Sequence, residues 1–379
     1  MRALFKPRYF HLLSIAAVLL LSSCGGKFFP EPCKTNCTPT NSGDYIYVAN
    51  SSTTASSIAG FTIASSALNN LANSPFATGL PPNTLAVTPN NAFLYMGSIS
   101  GGIYAYTINT NGTITVANSG SPVATGVSPI TMKVDPTGKW LIAADLTPQA
   151  YVFAIDTSTG ALTTQGNPLA LDTGTTTNLY ITPNGQNVYI SLGTGGVDIL
   201  TFNTTSGTLT KLNQILNPKA SSNADFGLAS DPTSKYLFVT ETGINSVRVL
   251  TINTTGNTAL TELSTSPVKT GLGPSQVIVT SDGSYVYVTN RTDGTISGFT
   301  LAANGTLTAL SGSPYTTGSA PVDIVQDQSH TYIAVACVAG NPDMQVFAID
   351  TTTPGKLVAF ASKTTGTDPT LASAIAGTH

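Results

Sequence analysis

The chain has 379 residues, 41% of them hydrophobic and only 9% charged, with 35 Gly, 23 Pro and a net charge of −3. The charged share is far below the ~25% of ordinary soluble domains, and this excludes the concentrated cations that nucleic-acid binding needs. Thr, Ser and Asn take the polar role instead, and β-branched and turn-forming residues at this density point to an all-β protein with short loops.

At the N-terminus, Arg2, Lys6 and Arg8 precede "LLSIAAVLLL", an apolar run too short to span a bilayer comfortably, and "LSSC" follows, ending at Cys24. This is the pattern of a secretory signal with a bacterial lipobox, so residues 1–23 are expected to be a signal peptide and Cys24 the lipidated residue. An ordinary signal peptide that contains a cysteine is the alternative. Without those three cations the chain carries 12 Lys and Arg against 18 Asp and Glu, a net charge of −6. Membrane attachment would then rest on acyl chains alone. The expected location is the bacterial cell envelope, with the protein lipid-anchored and facing periplasm or exterior. Residues 24–43, rich in Gly, Pro, Thr and Asn, read as a flexible tether. Cys33 and Cys37 sit in it at a spacing that suits a local disulfide in an oxidising compartment. Zinc would need two further ligands, and no other Cys or His lies nearby.

From residue 44 onward one segment recurs: "YIYVAN" (45–50), "FLYMGS", "WLIAAD", "NVYISL", "YLFVTE", "YVYVTN" (285–290) and "YIAVAC" (332–337). Alternating large and small residues that end in a turn former read as a half-buried strand. Successive copies lie 47 to 49 residues apart, a period that signals stacked supersecondary units. Each unit holds an upstream strand such as "PSQVIVTSDG", a downstream one such as "TISGFTL", a fourth such as "NGTLTAL", and in most units a closing phrase such as "SPYTTG". Four short antiparallel strands, seven times over, predict a seven-bladed β-propeller across residues 44–379. The first unit lacks its upstream strand, and the final "TDPTLASAIAGTH" aligns with the segment it lacks. The C-terminal strand is therefore expected to complete blade one and remove the open edge.

Tyr287-Val288-Thr289-Asn290 reproduces the tetrapeptide of the YVTN β-propeller repeat, and the chain from 44 to 379 resembles the lactonase-type seven-bladed family. That resemblance implies either a hydrolase of sugar-acid or muconate-type lactones or a non-catalytic envelope or scaffold protein, since one fold hosts both. It also implies that a lactonase site would use Arg and His with an acidic partner.

Loops entering the inner strands and loops following the second strands should gather at one mouth of the central channel. Aligning the repeats puts Asn83, Asn178, Asp225, Gln276 and Asp323 there from the first set, and Asn50, Ser98, Asp145, Glu241, Asn290 and Arg291 from the second. Any of these could instead cap its own turn. Beyond the leader there are only two Arg and two His. Arg248 lies inside a strand, His330 in a turn, and His379 is expected to fray, so no anion clamp is recognisable. No cofactor or metal motif occurs; "GTGG" (193–196) reads as a hairpin turn. Cys337 reads as a buried small hydrophobe. The preferred reading is a monomeric binding or scaffold module for a glycan, peptide or small molecule. A lactonase is the alternative, and a purely structural envelope component is a third reading.

Overall fold

The computed structural model describes residues 43–64, 67–219, 225–253, 259–366 and 372–379. The leader, Cys24, and the tether with Cys33 and Cys37 (all but Gly43) lie outside the described residues.

Seven antiparallel sheets are arranged as blades, each running in sequence from an inner strand to an outer one. The inner strands are Ala372–Gly377 in blade one, then Thr84–Val87, Pro129–Val134, Asn178–Ile181, Asp225–Ser230, Pro274–Val279 and Pro321–Gln326 in blades two to seven. The recurring sequence segments are the second strands, from Tyr45–Asn50 to Tyr332–Cys337. The closing phrases were expected only to end each unit. In blades one, three, five and six they add a two-residue strand against the third strand, such as Tyr315–Thr316. Residues 193–196 form the expected hairpin turn, in which the Leu192 amide donates to the Gly196 carbonyl at 2.8 Å.

The second strands differ from expectation in burial. Tyr45–Asn50, Phe93–Ser98, Trp140–Asp145 and Tyr236–Glu241 are buried at every residue. A blade is covered by a neighbour on both faces, so its middle strands meet apolar side chains above and below. The buried apolar residues accordingly form seven clusters, one between each pair of adjacent blades, including the pair seven–one. Tyrosines of the second strand tie blades together. Tyr47, Tyr95 and Tyr287 donate their hydroxyls to the carbonyls of Gly112, Gly160 and Gly355 in the following blade, at 2.7, 3.0 and 2.6 Å.

A second repeated device fixes the register of each inner hairpin. Thr88, Asp135, Thr182, Asp231, Thr280 and Asp327 each follow an inner strand and accept the backbone N–H of the residue five positions on. In blade one the same position is Thr378, and its partner is the amide of Tyr45, 2.9 Å away in space and 333 residues away along the chain. The ladder Ile46↔Gly377 through Asn50↔Ala372 completes the closure. The C-terminal strand is the inner strand of blade one, as the repeat alignment predicts.

Candidate functional site

The inner strands of all seven blades, with their adjoining turns, surround a central cavity of about 480 Å³. This is within the range of small-molecule pockets, ~300–1,000 Å³. Counting back from the hairpin anchors sorts the inner-strand residues into tiers, of which only some members line the cavity. Four residues before the anchor stand Thr84, Thr131, Asn178, Gly227, Gln276, Asp323 and Ala374, a mostly polar ring. Two residues before it stand Ala86, Lys133, Tyr180, Ala229, Ile278, Val325 and Ala376, apolar except for Lys133 and Tyr180.

In five of the seven blades the pairing of the inner and second strands shifts register near the mouth where the inner strands begin. Such bulges re-aim side chains and are common beside functional sites. Gly227 lies within one of them. A Cβ there would come within 2.6 Å of the Ser275 carbonyl and Gln276 backbone, so a bare backbone lets blade six close in. Across that gap Asn178 Nδ2 donates to Gln276 Oε1 at 2.8 Å, joining blades four and six over blade five. Asn83 Nδ2 donates to the Pro129 and Ile130 carbonyls at 3.3 and 2.9 Å.

Asp323 and Lys133 sit on blades seven and three, nearly opposite in the ring, and both line the cavity. The Asp323 carboxylate is fixed by the amides of Ile324 (2.9 Å) and Ile375 (3.0 Å). Burial pushes its pKa above the usual aspartate value, while the Lys133 charge and those two amides act against the shift. His379 also lines the cavity, at its opposite end. Its amide donates to Asn91 Oδ1 and its carbonyl accepts from Asn91 Nδ2, both at 2.9 Å, so it is held rather than frayed. The residue is exposed to the channel, and the protein packed around it still desolvates the ring enough to lower its pKa, with the Lys133 charge lowering it further.

The predicted residues divide into two groups. Asn83, Asn178, Gln276 and Asp323 line the cavity. Asp225 is paired through its backbone with Glu241 at the start of its inner strand, and its side chain is outside the described set. The residues after the second strands serve their own blades. Asn290 is fully buried and donates to Thr295 Oγ1 and Ser297 Oγ, both at 2.9 Å. Asp145 is buried and accepts from the Leu146 amide and the Tyr151 hydroxyl. Glu241 is fully buried, accepts from the Lys219 amide and pairs with Arg248 at 3.4 Å. Arg248 also reaches Glu262 at 3.0 Å and the Asn217 carbonyl at 2.8 Å. Arg291 is exposed and does not line the cavity. The channel cation that sequence reading missed is Lys133, within the unremarkable strand "PITMKV". Cys337 is buried as expected, and burial pushes its thiol up to about 11. Among the described residues no three His, Cys, Asp or Glu converge as metal ligands.

Residues 45–373 match the family model described as "Lactonase, 7-bladed beta-propeller". No curated protein shows a significant match. Among solved structures, a protein from Lactobacillus plantarum is similar at 20% identity and a TM-score of 0.71, covering 89% of this chain and 99% of its own. A putative 6-phosphogluconolactonase from Bacteroides uniformis is similar at 15% identity and 0.72, over 88% and 99%. A periplasmic gluconolactonase from Pseudomonas aeruginosa is similar at 15% and 0.68, over 89% and 99%. At these identities the likeness is one of fold.

Proposed function

We propose, on the premise that this chain belongs to the lactonase family of seven-bladed β-propellers, that it hydrolyses a sugar-acid lactone in the central channel. This reverses the preference for a binding or scaffold module, which rested on the scarcity of Arg and His and overlooked Lys133. The observation that carries the reading is Lys133 facing Asp323 across a cavity with a polar rim.

Lactone hydrolysis needs a base to take a proton from water and a positive group where the carbonyl oxygen becomes an oxyanion. Asp323, made more basic by burial and oriented by two amides, accepts the water proton. Water oxygen bonds to the carbonyl carbon, Lys133 stabilises the oxyanion, and the ring C–O bond breaks as Asp323 returns the proton to the departing alkoxide. The amide groups of Asn178 and Gln276 are placed to bind sugar hydroxyls. An envelope location is part of the proposal. The expected Cys24 lipidation and the periplasmic character of one structural neighbour support it. Among the described residues no helix is long and apolar enough to cross a membrane.

Enzyme from the detergent-extracted envelope fraction is expected to accelerate lactone opening above the spontaneous rate. Lys133→Met and Asp323→Asn should each lower kcat by about 100-fold or more, the usual cost of losing one charge-stabilising or proton-transfer group. Activity should rise with pH as Asp323 ionises. Wild-type turnover that both variants retain would end this assignment.

A further inference from the structure

We infer that the channel takes an uncharged, hydroxyl-rich lactone and discriminates against a phosphorylated one. This deepens the lactonase reading and rests on it. Residues 44–379 contain ten Lys and Arg, and Lys133 alone among them lines the cavity. The segments of that span outside the described residues contain neither Lys nor Arg, so they cannot supply a second cation. Against Lys133 stands Asp323, and His379 is held toward its neutral form. The lining side chains are thus close to electroneutral when Asp323 is ionised.

A phosphate monoester brings a charge of roughly −1.5 to −2 at neutral pH. Taking it from water into a partly desolvated channel needs matching cations and charge-assisted hydrogen bonds, and sites that recognise phosphate supply them with Arg clusters or several donors. Here a single ammonium would have to serve both the phosphate and the developing oxyanion, while the Asp323 carboxylate repelled the ligand. Burial of Arg248 between Glu241 and Glu262 removes a second cation from contention. A neutral sugar lactone meets none of these penalties. With Asn83 Nδ2, Asn178 Nδ2 and the Ser373 hydroxyl already donating within the wall, Gln276 Nε2 offers a donor, and Asn83 Oδ1 and the Thr131 and Ser373 hydroxyl oxygens offer acceptors, to vicinal hydroxyls. The same charge balance favours turnover. The hydroxy-acid product carries one negative charge that Asp323 repels, which promotes its release.

The test compares kcat/KM for glucono-1,5-lactone and its 6-phosphate on the full chain, with spontaneous opening subtracted. A preference of at least tenfold for the unphosphorylated lactone is expected. Ile278→Lys, which adds a cation to the Lys133 tier, should narrow that ratio. Equal turnover or a preference for the phosphate would overturn the inference while leaving the lactonase reading standing. Turnover of neither lactone would remove the lactonase reading instead, and calorimetric titration with gluconate and 6-phosphogluconate then decides the charge argument. Gluconate binding that Lys133→Met weakens, at least tenfold tighter than 6-phosphogluconate binding, supports it. Tighter binding of 6-phosphogluconate, or binding of neither, refutes it.

Discussion

Glu241 and Lys133 exchanged the roles that residue type alone assigns them. Glu241 ends a strand that points at the mouth, yet its side chain is fully buried and paired with Arg248. Removing one member of such a pair leaves the other charge desolvated, at a cost of about 3–5 kcal/mol. Arg248→Met should therefore lower the denaturant midpoint strongly, whereas Arg291→Ala on the exposed rim should stay within about 0.5 kcal/mol of the parent. Similar unfolding curves for the two variants would mean that the buried network contributes little. Asn178, Gln276 and Asp323 were legible as cavity-lining positions because the inner strand begins at the channel and short polar side chains there face into it. Asp145, Glu241 and Asn290 were misleading because Asp and Asn at a strand end look alike whether they cap a turn or meet a ligand. Lys133 was hidden for a different reason. Its position becomes visible only when each repeat is counted back from its Thr or Asp anchor, which places one lysine in a tier otherwise made of Ala, Ile, Val and one Tyr.

At the scale of the strand, the tyrosine of the repeated tetrapeptide does two jobs in blades one, two and six. Its ring fills an inter-blade cluster, and its hydroxyl, buried, bonds a carbonyl of the next blade. Tyr287→Phe keeps the ring and strands the Gly355 carbonyl, so the expected loss is about 1–3 kcal/mol. Tyr151→Phe, whose hydroxyl meets Asp145 and Gln149 at the rim, should cost much less. Equal effects on the melting temperature would argue against the inter-blade bond as a stabilising element. Strand positions were readable because the period of 47 to 49 residues repeats a local pattern seven times, and each copy corrects errors in the others. Burial on both faces was not readable from one strand. Alternation of large and small residues describes a pleat, and only the stacking of blades decides whether the second face is also covered. The two-residue strands of the closing phrases were missed because their pairing is with the third strand, which lies earlier in the chain and is already paired on the same side.

For the molecule as a whole, stability depends on one seam where the two chain ends meet, and that seam contains an acid pair. Asp44 accepts from the amides of Gln328 and Ser329 in blade seven, at 3.2 and 3.3 Å. Burial, together with a hydrogen bond to Asp327 and its charge, pushes the Asp44 pKa up to about 7. In the unfolded chain an aspartate releases its proton near pH 4. Between those values the folded state holds the additional proton, so the stability from this group is whole below about pH 4 and is lost as pH rises through 7. Asp198, raised by burial to about 6, acts in the same sense within blade four. His379 acts in the opposite sense, because a ring held below its ordinary pKa favours the folded state once the pH exceeds that of its protonation. The net profile of the parent mixes these contributions, and a variant isolates the seam. In Asp44→Asn the proton can no longer be lost, so the fall in melting temperature between pH 5 and pH 8 should be smaller than in the parent, with Asp198 and His379 unchanged in both. A fall as steep in Asp44→Asn as in the parent would show that the seam does not titrate in this range and that ring closure is insensitive to its acid pair.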